Sequence, residues 1–127
     1  MRSLLLALAL LGCSASPGPK APEPTIAVEL RPDPPGLGPA EVRVRIVDGD
    51  RPLSSARVSI EANMSHPGMK PELAEASAKA DDPGLYVATI DFTMKGDWYV
   101  LVTAELPGGG KTVTHRYDVR GVGRTPQ

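Results

Sequence analysis

Between Asn63 and Met69 the chain reads Asn63-Met64-Ser65-His66-Pro67-Gly68-Met69, which gathers two of its four methionines and one of its two histidines outside any hydrophobic run. Methionine is ordinarily spent as adaptable core filler, whereas Pro67 and Gly68 mark this stretch as a surface loop. Thioether sulfur and imidazole nitrogen are soft to borderline donors of the kind that suit copper, Cu(I) above all. Met64, His66 and Met69 supply three such donors from one loop. Met94 supplies a fourth if the turn it opens lies at the same end of the domain. A second use stays open at this level: Met64 and Met69 fold back over an exposed edge of the core, and Met94, next to Lys95-Gly96 and shortly before the only tryptophan, acts as a lid on it. His115 alternates with apolar residues and reads as a satisfied, half-buried histidine. Two histidines far apart and no available cysteine fall short of the usual zinc ligand sets.

The elements that must position this loop are short alternating runs separated by turn residues, the spacing of an all-β sandwich or barrel. Thr25 to Arg31 puts Ile26, Val28 and Leu30 on one side and stops at Pro32-Asp33-Pro34-Pro35-Gly36. Glu41 to Val47 sets Val42, Val44 and Ile46 against Arg43 and Arg45, a half-buried strand. Ala56 to Ala62 buries Val58 and Ile60 and leads straight into the Met/His loop. Glu72 to Ala80 is composed of good helix formers, but Ala74, Ala76, Ala78 and Ala80 recur at every second position; the strand reading is taken here, with a helix as the alternative. Asp82-Pro83-Gly84 turns the chain into Leu85 to Phe92, Met94-Lys95-Gly96-Asp97 links that run to Trp98 through Glu105, and Pro107-Gly108-Gly109-Gly110 makes a hairpin into Lys111 to Val119. The spacing of Asp82, Gly84 and Tyr86 looks like the tyrosine corner of Ig-like folds. The reading is an Ig-like antiparallel β-sandwich of about seven strands over residues 25–120, followed by a flexible tail, 121–127.

Composition bounds the rest. About a hundred residues remain after the N-terminal segments, enough for one modest core. Fourteen basic and 15 acidic residues give a formal charge of −1, with no basic tract or aromatic-basic interleaving, which argues against a nucleic-acid partner. Residues 1–12 carry Arg2 and the apolar run Leu4 to Leu11, too short for the roughly 20 residues a bilayer span needs, and read as a secretory signal. Leu10-Leu11-Gly12-Cys13 resembles the lipobox of bacterial lipoproteins, in which the cysteine after the cut is lipid-modified. Cys13 is the only cysteine, so no internal disulfide is available to explain it. Ser14 at the following position implies, by the same resemblance, an outer-membrane anchor in a Gram-negative envelope, facing the periplasm. Residues 13–24 then form a Pro-rich, semi-rigid spacer reaching roughly 30 Å from the lipid.

The strand Ala56-Arg57-Val58-Ser59-Ile60, the Met/His/Gly loop, the turn Pro83-Gly84-Leu85-Tyr86 and Met94-Lys95-Gly96-Asp97-Trp98 together resemble the YtkA-like domain family, over about residues 40–107. The family is similar in outline to FixH-type proteins of respiratory oxidase assembly and to periplasmic copper carriers. The resemblance implies an extracytoplasmic Ig-like binding module linked to copper or other heavy metals. This loop is thinner in methionine and histidine than that of a dedicated carrier.

No Ser or Cys has both a base and an orienting third group in view, and no Gly-rich loop precedes a helix, so catalysis is not expected. Two classes remain: a membrane-anchored module that holds Cu(I) at Met64, His66, Met69 and Met94 for an envelope partner, and a metal-free adapter that uses the same loop against another protein.

Overall fold

The computed structural model describes residues 24–66, 68–108 and 111–123. Residues 1–23, on which the expected signal segment, Cys13 and most of the expected spacer fall, lie outside the described residues, as do Pro67, Gly109, Gly110 and residues 124–127. Among the described residues eight strands follow one another: β1 (Thr25–Arg31), β2 (Gly38–Asp48), β3 (Arg51–Pro52), β4 (Arg57–Met64), β5 (Glu72–Ala78), β6 (Leu85–Phe92), β7 (Gly96–Glu105) and β8 (Thr112–Val122). Every pairing is antiparallel, and the order β1-β2-β6-β5-β4-β7-β8 runs as one path, with β3 paired to the end of β2. The two sheets of the sandwich are joined by β5, whose Val58-facing part pairs with β4 while Ser77 and Ala78 pair with β6. The result is an Ig-like sandwich closed on one side toward a barrel.

Alternation explains each strand. Val42, Val44 and Ile46 of β2, Val58, Ile60, Ala62 and Met64 of β4, Tyr86, Ala88, Ile90 and Phe92 of β6, and Trp98, Val100, Val102 and Ala104 of β7 are all buried and form one cluster. Among the described residues the core cluster runs from Ile26 to Val122, so this domain carries a core of its own. Phe92 and Trp98 meet edge to face, centroids 5.2 Å apart. β5 resolves the helix-or-strand ambiguity: Ala74 and Ala76 pack on the core, and Leu73 and Glu75 face outward. The small alanine side suits a strand squeezed between two sheets.

Several strands differ in their bounds from the sequence reading, and at two of them the difference bears on the methionine-bearing loop and the C-terminal segment. β4 does not stop at Ala62 but continues to Met64, because Met64 is one more inward position of the same alternation. β8 likewise runs past residue 120: Gly121 donates its N–H to Asp97 Oδ1 at 3.0 Å, and Gly123 donates to the Pro35 carbonyl at 3.0 Å, which ties residues 121–123 down.

The strand directions give the molecule two ends. One end, here the corner end, holds the start of β1, the β2-to-β4 connection and the β5–β6 turn. Tyr86 OH donates to the Leu53 carbonyl at 2.6 Å and accepts from Ala56 N–H at 3.0 Å. The tyrosine corner therefore clamps a loop about thirty positions upstream, rather than the few residues typical of the motif. Gly84, with φ +86°, sits so close to Pro52 and the Ile46 carbonyl that a Cβ would lie 2.8 Å and 2.9 Å from them. Asp82 receives both Arg45 guanidinium N–H groups, at 3.0 and 2.9 Å, and this bond holds its carboxyl below the usual carboxylate range.

Candidate metal centre

The opposite end is where the sequence placed its soft donors. β4 runs toward it and β7 away from it, with Met64 directly across from Trp98. Ser65 N–H donates to the Asp97 carbonyl at 3.2 Å, so the Met/His loop starts hard against the β6–β7 turn. That turn is fixed from within: Trp98 Nε1 donates to the Met94 carbonyl at 2.9 Å, and Gly96 takes φ +132°. The turn bearing Met94 and the loop bearing His66 and Met69 thus share one end of the sandwich, here the methionine end.

The four donors are not equivalent. Met69 is 41 % and Met94 45 % exposed, and His66 is also exposed. Met64 is 6 % exposed and belongs to the core, its Cε 3.2 Å from where a Gly96 side chain would begin. Met64 is therefore a strand residue under the loop and not a loop residue. Met94 is not among the partly buried hydrophobic residues packed against the core cluster. Leu37, 53 % exposed, precedes Gly38, which pairs with Phe92, and so joins Met69 and Met94 at this end. His115 is half-buried on the inward side of β8, opposite Val102 and well away from the loop.

Among the described residues no group of three or more His, Cys, Asp or Glu could hold a metal ion; the soft donors exposed at this end are the His66 imidazole and the Met69 and Met94 thioethers. A polar cleft of about 220 Å³ borders the loop, between Ser65, Asp97, Arg116, Asp118 and Arg120. The larger depression, about 350 Å³, lies mid-sheet between Leu73, Glu61 and Leu101; it holds no thioether or imidazole and is set apart from this chemistry. Sequence reasoning missed Leu37, because an isolated leucine in a Pro/Gly loop carries no periodic signal.

A family model described as YtkA-like matches residues 20–103, from before β1 to near the end of β7. The chain belongs to the YtkA-like family. Both signature stretches of this YtkA-like domain now have a structural meaning: Pro83-Gly84-Leu85-Tyr86 builds the corner end, and Met94-Lys95-Gly96-Asp97-Trp98 builds the turn at the methionine end. The soluble domain of PmoD from Methylocystis sp. ATCC 49242 (Rockwell) has a similar solved structure. Its TM-score is 0.52 at 14 % identity, over 78 % of this chain and 92 % of that one, a likeness of fold. No curated protein matches the chain.

Proposed function

We propose that this YtkA-like domain is an extracytoplasmic, membrane-anchored module that binds Cu(I) at its methionine end and presents it to an envelope partner. The observation that carries the reading is the placement of Met69, Met94 and His66, on two loops, at one end of the sandwich, with their side chains exposed. Methionine is spent on a surface at a cost in apolar exposure, and soft-metal ligation is a use that repays it. Met64 supports the loop from below by packing against Gly96 and Trp98. Acylation at Cys13 holds the domain on the outer membrane, facing the periplasm. The tether enters at the corner end, since β1 starts there, so the donors sit at the far end from the anchor.

The test is copper X-ray absorption on the Cu(I)-loaded chain. A first shell of two sulfurs and one nitrogen that loses sulfur in Met69→Leu supports the site; a shell of nitrogen and oxygen alone contradicts it. The second reading, a metal-free adapter, is favoured by Leu37, an exposed apolar residue at the same end that no metal uses. It predicts partner capture that survives Met69→Leu and is lost in Leu37→Asp.

A further inference from the structure

The two ends of the strand order are β1 and β8, and they differ as edges. β1 is seven residues long and runs into Pro32, whereas β8 is eleven residues long and contains neither proline nor lysine. Among the described residues β7 is the strand that pairs with β8, and no strand covers its other edge. A long edge of this kind is a template for another strand unless side chains oppose it.

We propose that the occupant of this edge is a second copy of the chain, paired β8 to β8, antiparallel, about a two-fold axis at Tyr117. The charge pattern selects the register. An antiparallel pair across a two-fold keeps outward residues opposite outward residues, so the centre must fall on a residue of β8. On β8 the outward side carries Thr112, Thr114, Arg116, Asp118 and Arg120, opposite the exposed side of β7. Centring on Arg116 sets Arg116 against its own copy, and centring on Asp118 sets Asp118 against its own copy, both destabilising. Centring on Tyr117 sets Arg116 against Asp118 of the second copy, twice, and overlaps the strand over its whole length, since Tyr117 is its midpoint. Within one chain Arg116 Nε already donates to Asp118 Oδ1 at 3.0 Å, and its guanidinium lies 4.1 Å from the Tyr99 ring centroid. Those contacts hold both charges flat on the sheet surface, and the remaining guanidinium donors stay available to a partner carboxylate. Because the two copies run in opposite directions, their methionine ends lie at opposite poles and both stay open. β8 lies beyond the residues that match the family, so the pairing is a property of this chain's own C-terminal strand.

The test is analytical ultracentrifugation of residues 24–127, which contain the whole core. A concentration-dependent dimer is expected. Arg116→Asp and Asp118→Arg should each weaken it about tenfold or more, because each places like charges face to face. Mixing the two single variants should restore a heterodimer, since one copy then carries carboxylates at both positions and the other carries guanidinium groups at both. A monomer at all concentrations, or a dimer indifferent to both reversals, overturns the proposal. If a reversal variant fails to fold, Tyr117→Cys decides: its cysteine, the single one in this fragment, sits on the axis and should form a disulfide-linked dimer under mild oxidation. A failure to crosslink, with Ser54→Cys at the corner end equally unreactive, overturns it too.

Discussion

Replacing Tyr86 by phenylalanine removes one oxygen atom and tests how the corner end is held. The hydroxyl is the partner of two backbone groups, the Leu53 carbonyl at 2.6 Å and the Ala56 N–H at 3.0 Å, in a partly buried site. The ring itself is 1 % exposed and phenylalanine fills the same space, so no cavity term enters. Each backbone group left without a partner costs about 1–3 kcal/mol, and partial access of water puts the pair toward the low side, about 2–3 kcal/mol together. For a domain near a hundred residues, 1 kcal/mol shifts the melting temperature by roughly 4–8 °C, so Tyr86→Phe should melt about 8–24 °C lower. Urea unfolding should show a lower midpoint with an unchanged slope. Cu(I) affinity should be unchanged, because the corner lies a strand length, roughly 26 Å, from the methionine end. A loss under about 0.5 kcal/mol would show that water takes over both groups. It would remove the corner as the element that joins β3, β4 and β6.

Three further outcomes follow from the same geometry. Gly84→Ala should cost upward of about 3 kcal/mol, because its Cβ meets Pro52 and a main-chain oxygen that cannot move, whereas Gly96→Ala should cost about 1–3 kcal/mol, since the atom it meets is the flexible tip of Met64; chemical denaturation of both variants gives the order. Met64→Leu should keep Cu(I) affinity and change stability by less than about 1.5 kcal/mol, as a volume-conserving swap in a core; a loss of metal binding would place its sulfur among the ligands. The bond from Arg45 lowers the Asp82 pKa in the folded state, so its contribution is complete above the ordinary carboxylate range and is lost as the pH falls through the lowered value. Arg45 itself is pushed up and stays charged throughout, so Asp82→Asn should flatten the acid limb of a stability–pH profile and leave neutral pH otherwise unaltered in shape.

Much of the fold was legible because burial follows a period of two. β1 and β6 match their sequence-read bounds at both ends, and β2, β7 and β8 are longer than read because their ends lack apolar residues or contain glycine. β3 is two residues long and has no period to detect. The site was legible in composition but not in depth. Met64 and Met69 look alike in a string of letters; only the run Val58, Ile60, Ala62, extended by one more step of two, tells that Met64 faces the core and that the loop begins after it. Whether Met94 reaches the same end depended on strand direction, which no local pattern carries, and the antiparallel β4–β7 pairing decides it.

A Cu(I) site made by His66, Met69 and Met94 is tested most directly by competition for Cu(I) against a chelating probe, using residues 24–127 and the Met69→Leu/Met94→Leu variant. The native domain should withhold one equivalent of Cu(I) from the probe and the variant should release it, with both proteins equally folded. Equal competition by the two proteins, or none by either, would contradict the site.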